Sequence, residues 1–170
     1  MAETPGSAAG RVLIDARPLQ GSDAQRGLGS YVRGLLSGLL EVGFDKRAAL
    51  LFDARDSVPE LPGGRWLAFS VRPRYRGRPG LLEEAAWMGR WLAGLRPAIY
   101  HATTLALPGR SPVPMVVTLH DLIPWALPSR AMLGERTRWW VGRRLLRRAD
   151  LVLAVSEATA ADGRRLAGIR

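Results

Sequence analysis

Two rhythms of apolar and polar residues run along this chain, and the change from one to the other marks its elements. Met115-Val116-Val117-Thr118-Leu119 is close to continuously apolar and stops at His120-Asp121, before a Pro-broken loop. Such a run reads as a strand buried on both faces, as in a parallel sheet. Shorter runs of the same kind are Arg11–Ala16 (RVLIDA), Lys46–Phe52 with Asp53 at its tip, Trp66–Val71, Ala98–His101 and Leu151–Val155; the opening run extends over Val113–Leu119. Between them the period lengthens to that of a helix. Leu28, Val32, Leu35, Leu36 and Leu39 recur at helical spacing, with Arg33, Ser37 and Glu41 on the other side and Gly43 as the stop. Leu81, Ala85, Met88, Leu92 and Leu95 form a second stripe behind Pro79, with Glu83 and Glu84 near its positive end. A third helix is predicted from about Met132 to Arg148, and a fourth from a Ser156 cap to about Ala167. Strands alternating with helices at these spacings predict an α/β fold, a doubly wound, mostly parallel sheet flanked by helices.

Length and composition narrow this picture. The 170 residues suit one domain, over 11–170, behind a small polar leader at 1–10 that is expected to be disordered. A chain of this size buries roughly 70% of its unfolded surface. No run approaches the ~18 apolar residues of a spanning helix, and the leader lacks the charged start and apolar centre of a signal peptide. There are no cysteines, so disulfides, thiolate metal sites and Cys nucleophiles are excluded. Two histidines, His101 and His120, are too few for a His-rich metal site, and no metal is expected. The net charge is +10, with Arg at every basic position except Lys46. That balance favours anionic partners such as nucleotides, nucleic acid or phospholipid headgroups.

Candidate chemistry clusters where the predicted strands end, which is where ligands sit in open parallel sheets. Arg26-Gly27-Leu28-Gly29-Ser30-Tyr31 follows the first strand and opens a helix. Glycines admit a phosphate close to the backbone, and a helix N-terminus offers N–H donors and partial positive charge. The pattern matches neither GxGxxG nor GxxxxGK[ST], and a plain flexible turn is the competing reading. His120-Asp121 lies beyond the buried strand, where His can position a hydroxyl or exchange a proton near neutral pH. No Ser-His-Asp arrangement accompanies it. Tyr100, His101, Thr103 and Thr104 form a strand tip able to hydrogen-bond a polyol, or equally to cap local backbone. Ser156-Glu157 after LVLAV reads by default as a helix cap. The basic loop Arg72–Pro79 carries Arg74 and Arg76, which would meet an anionic acceptor or lipid-linked phosphate, or simply be solvated. On the third helix Arg136, Trp140, Arg143, Arg144 and Arg147 share one side, a solvated basic face or a contact for anionic membrane headgroups.

Taken in order, IDARPL, GLGSYVRGLLSGL, YHATTLALP, VPMVVTLHDLIPWALPS and RRLLRRADLVLAVSEAT resemble the N-terminal domain of glycosyltransferase family 4, over about Arg11 to Ala167. The likeness is nearest to mannosyltransferase-like members, with their Gly-(Ile/Leu)-Gly-x-Tyr turn and Thr-(Ile/Leu)-His-Asp strand end. It implies a Rossmann-like domain, one half of a retaining GT-B enzyme whose active site lies between two such domains. It further implies that Gly27, Leu28 and Gly29 face the diphosphate of a nucleotide-sugar donor and that His120 lies beside the transferred sugar, as the catalytic candidate. Ser156 and Glu157 would be near the interdomain cleft; Tyr100, His101, Thr103, Thr104 and Asp121 would be on the acceptor side. In many members the turn is Gly-Gly, whereas Leu28 separates the glycines here. The family's second domain, with its basic pair and Glu-x7-Glu pattern, has no counterpart in these 170 residues. The expectation is an acceptor-side domain, inactive alone, whose His120 faces open water. The partners implied are a nucleotide-sugar, a glycan or lipid-linked acceptor and an anionic membrane surface, with a cytoplasmic location, peripheral on the inner face of the membrane.

Two other classes compete. A non-catalytic basic domain for membrane or nucleic acid fits the charge, but no RNP-type aromatic run, KH GxxG loop or zinc spacing is present, and the arginines are spread over several elements. A free-standing flavodoxin-like module fits the alternation, against which the weak glycine turn argues.

Overall fold

The computed structural model describes residues 7–72, 78–122 and 136–169, with side chains from 83 onward in the second helix and from 140 onward in the third. The strands are β1 (Val12–Asp15), β2 (Ala48–Asp53), β3 (Leu67–Val71), β4 (Ile99–Ala102), β5 (Met115–Leu119) and β6 (Leu151–Ala154). The helices are α1 (Gly27–Glu41), α2 (Arg78–Leu95), α3 (Arg136–Leu146) and α4 (Glu157–Asp162), the last running on as a π-helical turn at Gly163–Ala167. All strands pair in parallel, in the order β3-β2-β1-β4-β5-β6. The expected doubly wound α/β domain is therefore present, a Rossmann-like single domain. Its strand order reverses between β1 and β4, so the crevice at a switch point opens at the carboxyl ends of those two strands.

Burial follows from this order. The central strands face helices on both sides, and every residue of β2 is buried. On one face Ile14, Leu50 and Phe52 pack on Val32 and Leu36 of α1. On the other, Leu13, Leu51, Val117 and Leu119 pack with Met88 and Leu92 of α2 and Leu145 and Leu146 of α3. Alternation along a strand assigns neighbours to opposite faces. Tyr100 thus joins the α2 side, while His101, paired in register with Ile14 and Val116, lies on the α1 side. The α1 face is covered unevenly. At the edge strand β6, Leu151 and Leu153 stay exposed, as does Val155 just after it.

Candidate functional site

At the carboxyl edge two polar networks flank the switch point, one on each face of the sheet. On the α2 face Asp15, the last residue of β1, is buried and receives Arg17 three times: from its backbone N–H at 3.2 Å, from Nε at 2.8 Å and from Nη2 at 2.5 Å. The same Nη2 reaches Glu84 of α2 at 2.5 Å, and the Tyr100 hydroxyl donates to Asp15 at 3.4 Å. Burial alone would weaken the Arg17 charge, but Asp15 overrides it and holds the guanidinium proton more tightly than usual. For Glu84 desolvation prevails even over its short bond to Arg17, and its carboxyl is pushed up. The buried Tyr100 hydroxyl is pushed up too, first by desolvation and then by the charge of Asp15. Arg55 clasps Asp53 in the same way at the end of β2, through its backbone N–H and its guanidinium. Gln20 ties the loop to that strand end, accepting from Asp53 N–H at 2.8 Å and donating to the carbonyls of Asp53, Asp56 and Ser57.

On the α1 face the network is uncharged. The Tyr31 hydroxyl of α1 lies 3.0 Å from Thr118 Oγ1, and that oxygen lies 2.8 Å from His101 Nε2. Desolvation lowers the proton affinity of the His101 ring, against the pull of Asp15, so the buried imidazole is held neutral. Above this chain sits His120. Its ring meets Tyr31 edge-on, with centroids 4.8 Å apart at 90°, and its Nε2 donates to the Thr103 carbonyl at 3.0 Å. Thr103 is itself fixed, donating its hydroxyl to the Asp15 carbonyl at 2.6 Å. The His120 carbonyl accepts from Thr159 Oγ1 at 3.1 Å, and Thr159 N–H donates to Ser156 Oγ at 3.1 Å, which caps α4. Residues on or just beyond β1, β4, β5, α1 and α4 are thus joined, by hydrogen bonds and the Tyr31 ring contact, around one half-buried imidazole.

This geometry sorts the sequence-derived candidates. His120 is half-buried: its Nε2 and its carbonyl are bonded, and the rest of the ring keeps contact with solvent. Tyr100, His101 and Thr103 are buried, with hydroxyl or ring committed to internal partners. They form the floor of the site, so their reading as groups offered to an acceptor is replaced by a supporting one. A sequence pattern cannot tell the floor from the surface of a strand tip, because the two differ only in what lies above. Thr104 is half-buried, and Asp121, Ser156 and Glu157 are exposed at the same edge. Ser156 is the predicted cap.

The two glycines separate as well. They sit inside the first turn of α1, after Arg26, which makes no side-chain cap. Gly27 is exposed, and a Cβ there would meet nothing within 4 Å. Gly29 is buried, and a Cβ would lie 2.4 Å from the Ala24 carbonyl oxygen and 2.5 Å from that of Asp23. Gly29 is required by the packing of the preceding loop; Gly27 leaves backbone open to approach. Leu28, between them, is half-buried.

Of the basic residues, Arg74 and Arg76 lie outside the described residues, as does the side chain of Arg136. Trp140 is 64% exposed, with the Arg144 guanidinium 5.5 Å over its ring. Arg143 and Arg147 are exposed on the same helix region, Arg143 donating to the Ala167 carbonyl at 3.4 Å. A hollow of about 610 Å³ lies far from His120, at the amino ends of β5 and β6, lined by Arg110, Ser111, Pro112, Arg148 and Asp150. Among the described residues no group of three His, Cys, Asp or Glu could hold a metal ion, and no helix is long and apolar enough to cross a membrane.

Sequence reading passed over Tyr31, Thr118, Thr159, Arg17 and Glu84 as site-building residues. A signal existed for some. Asp-Ala-Arg occurs at 15–17 and again at 53–55, each time at a strand end. Thr118 is the one polar residue in the apolar run of β5.

The open start of α1 and the held imidazole of His120 thus lie at the carboxyl edge of a Rossmann-like sheet, beside its switch point, where ligands sit in open α/β folds. The sequence model of Glycosyltransferase Family 4 matches residues 25–170, and the chain belongs to that family. β1 and its Asp15–Arg17 pair precede the matched span but are built into the same sheet. No curated protein matches the chain significantly.

Proposed function

We propose that this chain is the acceptor-side domain of a retaining glycosyltransferase that moves a sugar, mannose in the reading its motifs favour, from a nucleotide-diphosphate donor to a glycan or lipid-linked acceptor. The observation that carries the reading is the convergence, within a glycosyltransferase family 4 domain, of Gly27 and His120 on one edge of the sheet. Gly27 and the first-turn amides of α1 would meet the donor's diphosphate, where N–H donors and the helix dipole oppose the charge that develops as it leaves. His120 would stand beside the transferred sugar, with Thr104, Asp121 and Glu157 around the acceptor. Most donor contacts would come from a second α/β domain. No metal takes part in this scheme, because backbone donors and basic groups supply the charge stabilisation.

The test is a titration of the isotope-labelled 170-residue chain with nucleotide-diphosphate sugars and oligosaccharides, read by backbone amide shifts. Saturable shifts grouped at Gly27–Tyr31, Thr104 and His120 support the reading. Shifts confined to the hollow at Arg110 and Arg148 overturn it. The chain alone should turn over no donor, and measurable transfer by it would contradict the division of labour proposed.

A membrane contact through α3 has its own observation, the exposed Trp140 set among arginines. It would place the protein on the inner, anionic face of the cell membrane, at ~1 kcal/mol for each Arg near the surface. Co-sedimentation with vesicles decides it. Binding should require anionic lipid and fall on Arg143→Glu with Arg147→Glu; equal binding to neutral vesicles, or no fall, rejects it.

A further inference from the structure

His120 has two ring nitrogens, and its surroundings commit one of them. Nε2 lies 3.0 Å from the Thr103 carbonyl oxygen, which can only accept. Nε2 therefore carries a proton in the neutral ring as well as in the charged one, and in the neutral ring the lone pair is on Nδ1. The acceptor is itself immobilised, because the Thr103 hydroxyl is bonded to the Asp15 carbonyl at 2.6 Å in the sheet interior. The ring plane is set by a second contact. Tyr31 stands perpendicular to it at 4.8 Å, in the edge-to-face arrangement that aromatic quadrupoles favour. The Tyr31 ring is in turn pinned by its hydroxyl, 3.0 Å from the buried Thr118 Oγ1.

We propose that His120 meets its substrate through Nδ1, and that Tyr31 is the positioning residue that holds the imidazole with Nε2–H on the Thr103 carbonyl. An Nδ1 lone pair accepts a hydrogen bond from a sugar hydroxyl; the same atom, protonated, donates to a phosphate oxygen. The inference rests on His120 lining the substrate cleft, but its geometry is measurable without any substrate. Tyr31 acts on the reaction only through His120. Its hydroxyl is used internally, so removing the hydroxyl alone and removing the whole ring have different consequences.

Imidazole nitrogen NMR on the full chain tests this cleanly, because only His101 and His120 contribute signals and His120→Ala assigns them. At alkaline pH, His120 should show Nδ1 as the bare nitrogen and Nε2 as the protonated one. Its Nε2–H line should be protected from solvent exchange by the Thr103 bond, an interaction worth about a five-fold bias. Tyr31→Phe should keep the protected line; Tyr31→Ala should lose it and mix the tautomers. A wild-type spectrum with Nδ1–H, or with no protected Nε2–H, overturns the assignment whether or not Tyr31 variants fold. A protected line that survives Tyr31→Ala, or is lost in Tyr31→Phe, overturns the role given to the tyrosine ring. Sugar transfer measured alongside an Nδ1–H ring would sink this inference and leave the proposed function standing; the expected tautomer in a protein that binds no sugar would do the reverse.

Discussion

The two networks at the carboxyl edge of the sheet are built from opposite materials. On the α2 face, the buried carboxyls of Asp15 and Glu84 share the half-buried guanidinium of Arg17. On the α1 face, Tyr31, Thr118 and His101 form an uncharged chain that ends beneath a half-buried His120. Carboxylates at strand tips attract attention as acids or bases, yet here each has its own arginine two residues downstream, and the pair is spent on closing the loop. The neutral chain makes no ion pair, and it supports the one imidazole that keeps contact with solvent. The difference teaches that position beyond a strand end marks a residue as a candidate, while the partner it has already taken decides what it can do.

The largest way to break this comparison is Arg17→Ala. It strands Asp15 and Glu84 without their shared cation, and a loss of about 3–5 kcal/mol is expected in urea unfolding, as for other broken buried pairs. A loss below about 1 kcal/mol would mean that the charged cluster is not structural. Thr118→Val keeps the shape of β5 and removes the central hydroxyl of the neutral chain, leaving Tyr31 and His101 without it. The same measurement should show about 1–3 kcal/mol. If the variant matches the wild type, the chain contributes geometry but no stability.

Acidity sharpens the contrast, because the two faces titrate in opposite senses. His101 has its proton affinity lowered by burial, so below about pH 6.5 the unfolded chain binds the proton that the folded chain refuses. Its contribution is present above that pH and is lost as pH falls. Glu84 is raised by desolvation, so from about pH 4.5 upward the folded chain holds a proton longer than the unfolded one. Its contribution is present at low pH and lost as pH rises. Each site adds a slope of at most about 1.4 kcal/mol per pH unit. Unfolding midpoints between about pH 4.5 and 7.5 should therefore lose acid sensitivity in His101→Gln and gain it in Glu84→Gln. Equal slopes in the two variants would show that neither group is perturbed. The smallest effect is expected at the cap. Ser156→Ala should cost about 1 kcal/mol in the same unfolding assay, through the bond to Thr159 N–H. A value near zero would detach α4 from the support of the His120 carbonyl.

Much of the fold was legible. The apolar run of β5, the helical stripe of α1 and the Ser156 cap are local patterns, and local patterns survive translation into three dimensions because burial and capping act over a few residues. The edge strand was less so. Leu151–Val155 reads as a strand from its apolar run, and Leu151–Ala154 is one, yet Leu151, Leu153 and Val155 are exposed, outside the cluster that α1 forms with β1 and β2. The placement of the candidates was legible in outline: the glycine turn, His120 and Ser156-Glu157 do lie at one edge of the sheet. Its interior was not. Tyr100 and His101 are neighbours in sequence but point to opposite faces, one into the charged network and one into the neutral chain.

That every strand pair described is parallel came from the structure; by itself, the sequence determined the alternation of strands and helices, a doubly wound and mostly parallel sheet, and the +10 charge that favours anionic partners. Each of these depends on residue type at a fixed local spacing. Only the tertiary structure decided that Gly29 serves packing while Gly27 stays open, that Arg17 joins two carboxylates 69 positions apart at 15 and 84, and which nitrogen of His120 is committed. The bonds of Arg17 to Glu84 at 2.5 Å and of His120 to the Thr103 carbonyl at 3.0 Å join residues far apart in sequence, and no local spacing encodes them.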